Sequence, residues 1–233
     1  MQIVENYIRL REELPDHVTI VLAGKTRSVE EIVEVIDAGA TDLGENYVQE
    51  AEQMRRSLAE TANRVRWHMI GHLQTNKINK AIEVFDAVQT VDSMKKAVAL
   101  DGRMERARRE SMPIFIEINI GSEFTKAGIR PSDHEPFEPY MERLVTEMSE
   151  LRHLRIEGLM TMGPRFGDPE KSRPYFRRTR NLFERLAALG RPNVQMRYLS
   201  MGMTNAYKVA IEEGSNMIRV GTAVFGPRLC NQR

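Results

Sequence analysis

The sequence predicts a single (β/α)8 barrel over residues 1–233, with an extra helix at its amino-terminal end. Short runs rich in Val, Ile and Leu alternate regularly with longer amphipathic segments, which is typical of strands followed by helices. There are eight such runs, and no linker, low-complexity stretch or change in composition divides the chain. Consecutive strand–helix units pair their strands in parallel through right-handed crossovers, and eight such strands close into a barrel.

The predicted elements alternate along the whole chain. The strands are predicted at residues 18–23, 41–44, 65–71, 87–91, 113–119, 155–162, 196–202 and 217–225. The helices are predicted at residues 1–14, 29–38, 47–58, 76–85, 93–109, 135–148, 172–189 and 206–213.

The residues at the helix ends agree with this division. Ser28 and Glu31 have the spacing of a capping box, which predicts the start of the first crossover helix. Gly39, Gly190 and Gly214 stand where helices are expected to end. An open doubly wound sheet is the alternative fold, but no Gly-x-Gly-x-x-Gly turn follows the first predicted strand.

Composition limits the classes of partner and the compartment. The sequence has 34 Lys and Arg against 33 Asp and Glu, so charge gives no reason to expect nucleic acid or an anionic membrane. The one cysteine, Cys230, allows no disulfide within the chain and is expected to be an inert thiol. Neither a secretory signal nor an apolar run of the ~20 residues needed to span a membrane is found. We therefore expect a cytoplasmic protein.

Lys25 is the most informative residue. It follows the first apolar run and Gly24, and it is the only lysine in the eight strand-end motifs. Chemistry in such barrels takes place at the carboxyl ends of the strands. A partly desolvated amine is a nucleophile toward aldehydes, so this position favours Schiff-base chemistry over an ordinary solvated lysine.

Small residues lie in the motifs of the last two predicted strands. The seventh ends in a segment with Ser200, Gly202 and Thr204, and the eighth carries Gly221 and Thr222. The loops at these places are a recurrent phosphate site, because hydroxyls and backbone amides can surround the anion. One glycine loop would indicate only a tight turn, but two adjacent loops together with a strand-end lysine predict a phosphorylated aldehyde as ligand.

Arg219 alternates with Val220 and is therefore expected to point into the barrel near its mouth. A buried arginine needs a partner. The periodicity leaves two partners open: a carboxylate such as Glu117 or Glu45, or a ring nitrogen of the ligand.

The histidines give a weaker signal. His68 and His72 face the same side of a predicted strand, but no cysteine or carboxylate cluster completes a zinc set. We predict hydrogen-bonded histidines and no metal.

Taken in order, these segments resemble the pyridoxal phosphate homeostasis proteins, relatives of the amino-terminal barrel of alanine racemase. The resemblance extends over nearly the whole chain. Besides Lys25 after its apolar strand, the matching segments are GENYVQE at 44–50, WHMIGHLQTNK at 67–77, GLM at 158–160, LSMGMT at 199–204 and IRVGTAVFG at 218–226.

The resemblance implies a role for each matching residue. Lys25 would carry pyridoxal 5'-phosphate (PLP) as a Schiff base. Asn46 would approach the cofactor, and Arg219 would face the pyridine nitrogen. The residues implied for the phosphate are Ser200, Gly221 and Thr222, to which the loop argument adds Gly202.

The sequence departs from the family's pattern at two places. Gly24 stands where the family usually has serine, and residues 205–208 lack an acidic pair that often follows Thr204. Neither departure removes a residue implied in the Schiff base or in the phosphate site.

The family is associated with the balance of free PLP and not with turnover. The resemblance therefore predicts a cofactor carrier, for which apo-enzymes of the PLP class are candidate recipients. A monomer is expected in preference to an oligomer. An alanine racemase needs a second base from a second domain, and the sequence ends at Arg233, so no such domain is expected. A PLP-dependent racemase or decarboxylase stays as an alternative, and a cofactor-free Schiff-base aldolase is a weaker one.

Overall fold

A computed structural model describes residues 2–134, 136–164 and 167–227 of the chain. Its strands form a closed barrel in the order β1 to β8, and every neighbouring pair is parallel. The predicted (β/α)8 fold is thereby confirmed. Cys230 and the first residue of the predicted helix at 135–148 lie outside the described residues.

The strands are β1 Thr19–Ala23, β2 Asp42–Glu45, β3 Arg66–Met69, β4 Ala87–Val91, β5 Met112–Glu117, β6 Leu154–Thr161, β7 Val194–Met201 and β8 Met217–Val220. The α-helices are α1 Gln2–Glu13, α2 Val29–Asp37, α3 Val48–Leu58, α4 Ile78–Val84, α5 Met94–Arg106, α6 Phe137–Met148, α7 Arg173–Ala187, α8 Tyr207–Glu212 and α9 Thr222–Phe225.

The apolar runs form strands because both strand faces are buried. Outward residues such as Leu22 and Trp67 pack under the helices in the main core. A smaller apolar cluster, Val21, Phe115, Met160 and Met217, lies in the barrel interior, which it shares with buried polar side chains such as His68 and Arg219. Burial on both faces is the reason why most strands are rich in apolar residues.

Ion pairs close the amino end of the barrel interior. Glu157, which is 3% exposed, lies 3.2 Å from Arg66 and 2.6 Å from Arg155. The guanidinium of Arg66 also lies 5.8 Å from the centre of the Tyr198 ring. The charges at this end therefore have partners within the protein.

The eighth predicted strand is too long, and this is a correction. The strand ends at Val220, and Thr222–Phe225 form the short helix α9 after Gly221. The apolar side chains in this segment indicated a strand, but they pack against α1, where Asn6 Nδ2 donates to the Val224 carbonyl at 3.0 Å. Their hydrophobicity reflects burial under α1.

The predicted helix ends are confirmed. Ser28 and Glu31 form the capping box of α2. Gly39, Gly190 and Gly214 have φ values of +100°, +63° and +94°, a backbone conformation that favours glycine. In the described ranges, no helix combines the length and apolar character needed to cross a membrane.

Candidate functional site

Strand register brings Lys25 close to Asn46 at the carboxyl end of the barrel. Ala23 pairs with Gly44, so Lys25 and Asn46 lie at the same level, each two residues beyond the pair. On the other side β1 pairs with β8, where Val21 is level with Arg219. Lys25 therefore lies between the β2 and β8 loops, as the order of strands in a barrel requires.

Lys25 is half-buried, and its amine lies over an aromatic ring that the sequence analysis missed. Lys25 Nζ is 5.1 Å from the centre of the Tyr47 ring, and Tyr47 is 51% exposed. Thr26, the next residue along the chain, has a φ of +67°, which is unfavourable for a β-branched residue. The strained turn holds the lysine at the mouth, where solvent can reach it.

Two small-residue loops meet beside this lysine. Thr222 Oγ1 lies 3.3 Å from Thr204 Oγ1, which joins the loop after β8 to the loop after β7. Gly202 has a φ of +93°, and a Cβ there would lie 2.7 Å from Ala210, so only glycine fits. A Cβ on Gly221 would lie 3.5 Å from Ala23, an ordinary contact distance, so Gly221 adjoins the end of β1.

Arg219 points into the barrel, as its alternation with Val220 predicts. It is 6% exposed and donates hydrogen bonds to Ser200 Oγ at 2.6 Å and to the Thr161 carbonyl at 2.8 Å. Burial lowers the pKa of this guanidinium to about 10, and the charge of Glu117 opposes that shift. Among the described residues no carboxylate lies within 4.0 Å of it.

The two carboxylates considered as partners of Arg219 face different ways. Glu117 lies on the inner face of β5, whereas Glu45 lies on the outer face of β2 against Gly24, whose ideal Cβ would be 2.5 Å from Glu45 Oε1. Glu45 is therefore not a partner of Arg219 here. Glu117 acts on Arg219 only through its charge.

A continuous line of hydrogen bonds runs from Arg219 down the barrel. Ser200 accepts from Arg219 and donates to Gln89 at 2.8 Å, Gln89 is 3.0 Å from His68 Nδ1, and His68 Nε2 is 2.7 Å from Asp42. Burial lowers the pKa of His68. A neutral His68 with its proton on Nε2 satisfies every member of the line. The line leaves Ser200, which is fully buried, with its hydroxyl already donating and accepting.

Glu117 belongs to a second buried group at the mouth. Burial and the charge of Asp92 raise the pKa of Glu117 to about 7, despite the opposing charges of Lys96 and Arg219, and its Oε2 has no hydrogen-bond partner. Lys96 is 5% exposed, lies 2.9 Å from Asp92 and donates to the Thr90 carbonyl. Sequence analysis missed this lysine, although its position four residues after Asp92 was a signal for an ion pair.

The histidines do not form a metal centre. In residues 2–134, 136–164 and 167–227, no three His, Cys, Asp or Glu side chains are grouped so that they could hold a metal ion. His68 is tied into the hydrogen-bond line, and His72 is exposed, 3.8 Å from Asp92.

Comparisons with known proteins agree in family and in fold. The sequence matches the family described as alanine racemase, N-terminal domain, over residues 1–228. It is 34% identical over 227 residues to the pyridoxal phosphate homeostasis protein of Pasteurella multocida, covering 97% of this chain and 94% of that protein.

Two solved structures extend the comparison. PipY of Synechococcus elongatus with PLP bound has a TM-score of 0.85 and 32% identity, over 97% of this chain and 100% of that chain. An alanine racemase of Clostridium difficile has a TM-score of 0.77 and 16% identity, over 99% of this chain and 58% of that chain. The second similarity is one of fold alone.

Proposed function

The chain belongs to the pyridoxal phosphate homeostasis protein family, and we propose that it binds PLP and takes part in the intracellular homeostasis of this vitamin B6 cofactor. The observation that carries the proposal is the half-buried Lys25 at the barrel mouth, between Asn46 and the loop after β8. The whole chain, residues 1–233, would act as one domain, as a cytoplasmic monomer.

The residues at the mouth fit PLP. The ligand requires an amine for its aldehyde, donors for a phosphate dianion and a polar group for its ring nitrogen. Lys25 is the amine, and the hydroxyls of Thr204 and Thr222 lie together on the adjacent loops. Arg219 has five N–H donors and uses two of them on Ser200 and Thr161, so donors are left for a ligand.

Each mouth residue then has a task. Lys25 would hold the cofactor as a Schiff base, and Asn46 would contact it from the neighbouring strand. Gly202, Gly221 and Thr222 would surround the phosphate with backbone N–H groups and a hydroxyl. Ser200 would contribute chiefly by fixing Arg219, since its hydroxyl already bonds to Gln89 and Arg219.

Arg219 supports a carrier over an enzyme. When bound, PLP supplies an electrophilic carbon and a pyridine ring that can withdraw electrons. A guanidinium only donates hydrogen bonds, so a ring nitrogen that faces Arg219 stays unprotonated and withdraws electrons poorly. The mouth is also open to solvent, which suits exchange of the cofactor with an incoming amine or with an apo-enzyme.

The absorbance spectrum of the purified protein tests the linkage. We expect a yellow chromophore that borohydride bleaches, with the reduced adduct on Lys25. Lys25→Ala should lose the chromophore and keep the circular dichroism signal of the folded barrel. Lys77→Ala, which removes a lysine from the rim of the same mouth, is the matched control and should stay yellow. An adduct on the buried Lys96 would refute the assignment.

Incubation with L- and D-amino acids tests the absence of turnover. We expect racemisation, decarboxylation and keto-acid release no faster than with free PLP. Sustained turnover above that rate, abolished by Lys25→Ala, would replace the carrier with the racemase or decarboxylase alternative.

The role of Arg219 is tested separately. Arg219→Glu places a proton-accepting carboxylate at the ring nitrogen, so exchange of the amino-acid α-proton should rise. Arg219→Gln cannot hold the ring protonated and should leave the exchange low. Equal exchange in the two folded variants would argue that Arg219 does not face the ring.

A further inference from the structure

A cleft of about 450 Å³ lies between the start of α2 and one face of α3, from Glu50 to Ser57, behind the turn that holds Lys25. Volumes of this size are typical of small-molecule sites. Val29 and Met54 supply apolar wall, and Gln53 and Ser57 supply neutral polar groups. None of the mouth residues assigned to PLP lines this cleft.

Glu45 is the buried polar group of the cleft. It is 3% exposed, and its Oε2 is buried without a hydrogen-bond partner. Its other oxygen occupies the space that a side chain on residue 24 would fill, because an ideal Cβ on Gly24 would lie 2.5 Å from Oε1. The described residues supply no donor to Oε2, and a buried carboxylate oxygen without a donor is costly, so a ligand that supplies a donor there would relieve that cost.

The charges around Glu45 leave the cleft acidic. Glu30 from α2 and Glu50 from α3 also line it. The one arginine in the lining, Arg27, donates to the carbonyls of Phe225 and Gly226, at 3.2 and 2.9 Å, and lies 3.4 Å from Glu31. The nearby Lys25 amine lies over the Tyr47 ring. Within residues 2–134, 136–164 and 167–227, no cation is paired with the three carboxylates that face the cleft.

The residues that line the cleft also limit which kinds of cation could bind there. Within the described residues these carboxylates are not grouped to hold a metal ion. The lining contains no aromatic residue, whereas aromatic cages are what bind quaternary ammonium groups. A group with N–H donors would satisfy Glu45 Oε2 through a charge-assisted hydrogen bond.

We propose that this cleft binds a small organic cation through a primary ammonium group that donates to Glu45, with the aliphatic part against Val29 and Met54. The inference goes beyond PLP binding and does not depend on it. Burial, together with the charge of Glu50, raises the pKa of Glu45 to about 7, opposed by the charge of Lys25. The cation should therefore bind more tightly as the pH rises from 6 to 8 and the carboxyl loses its proton.

Propylammonium is the probe, and nuclear magnetic resonance of the full chain is the measurement. Addition of propylammonium should shift the amide signals of Gly24 and Ser57. It should also lower the pKa of Glu45, followed through the signal of its carboxyl carbon. Propanol, which has no charge, and tetramethylammonium, which has no N–H donor, should each bind at least about tenfold more weakly. Equal binding of all three probes would overturn the proposal.

Variants locate the site and separate it from the mouth. Glu45→Gln should weaken propylammonium by at least about tenfold, and Gly24→Ser should weaken it by crowding the carboxyl. Glu142→Gln on the distant α6 is the control and should change nothing. Lys25→Ala removes the proposed PLP lysine but should keep propylammonium binding in the cleft. Loss of binding in Lys25→Ala, or unchanged binding in Glu45→Gln, would refute the cleft.

Discussion

The two ends of the barrel differ in whether their buried carboxylates are paired. At the amino end Glu157 has two arginine partners, at 3.2 and 2.6 Å. At the carboxyl end Glu45 and Glu117 are equally buried, but each has an oxygen without a hydrogen-bond partner. Arg219, at the same end, bonds only to a hydroxyl and a carbonyl.

This difference in pairing indicates that the amino end serves stability and the carboxyl end serves binding. A carboxylate that is paired within the protein contributes to the fold and has nothing left to offer a ligand. Unpaired buried groups weaken the fold, and such costs concentrate at functional sites. The comparison therefore predicts opposite outcomes for similar substitutions at the two ends.

The largest effect is expected from pH acting on the carboxyl end. The pKa values of Glu45 and Glu117 rise from 4.5 to about 7 on folding, so the folded state keeps protons that the unfolded state has lost. Stability should fall as pH rises from 4.5 to 7, by roughly 3 kcal/mol for each group. Glu45→Gln and Glu117→Gln should each flatten this fall and be more stable than the wild type at pH 8. Urea unfolding at a series of pH values measures the free energy of unfolding. The same pH dependence in the wild type and both variants would contradict the prediction.

Glu157→Gln should act in the opposite direction. It leaves Arg66 and Arg155 without their shared carboxylate, and breaking a fully buried pair costs about 3–5 kcal/mol. The two arginines are about one-third exposed, so we expect a smaller loss of roughly 2–3 kcal/mol in the free energy of unfolding. Affinity for PLP should stay the same. A stable variant with weakened PLP binding would reverse the roles of the two ends.

Two substitutions at the mouth are expected to affect different quantities. Thr222→Val should change the affinity for PLP, and Ser200→Ala should change the stability of the fold. Thr222 is exposed, so its loss should weaken PLP about tenfold or more at unchanged stability. Ser200→Ala removes the bridge between Gln89 and Arg219 and should cost about 1–3 kcal/mol of unfolding free energy. Pyridoxal without its phosphate should bind wild type and Thr222→Val alike. Weaker binding of pyridoxal to Thr222→Val than to the wild type would count against a role of Thr222 in phosphate binding.

The smallest effect is expected at the surface. Glu142 pairs with Arg185 on neighbouring helices, where both side chains are substantially exposed. Glu142→Gln should change the unfolding free energy by less than about 1 kcal/mol. This variant is the reference for the other carboxylates, and a loss as large as that of Glu157→Gln would show that burial does not govern these energies.

The sequence was sufficient for the barrel and for some of the residues at its mouth. Apolar runs predict the buried strands, the end of the first strand places Lys25 at the mouth, and alternation with Val220 points Arg219 into the barrel. Strand eight was extended too far because Val224 and Phe225 are buried by α1. This contact joins the two ends of the chain, and local periodicity cannot report it.

Side-chain contacts between different strands could not be predicted from local sequence patterns. Ser200 was expected at the phosphate, but its partner Gln89 comes from a strand three positions away around the barrel. Glu45 was considered as a partner for Arg219, although it points outward from β2. A shift of one residue in strand register exchanges the two faces, and the sequence alone does not fix that register.

The hydrogen-bond line from Arg219 to Asp42 gives the barrel an internal reporter. His68 is fully buried, yet its Nδ1 is linked through Gln89 and Ser200 to the guanidinium. Neighbouring hydrogen bonds in such a line polarise one another, so a new acceptor at Arg219 should shift the nitrogen resonances of the imidazole. A nucleus shielded from buffer would then register events at the opening of the barrel, and ligand arrival could be followed without a dye or a coupled enzyme.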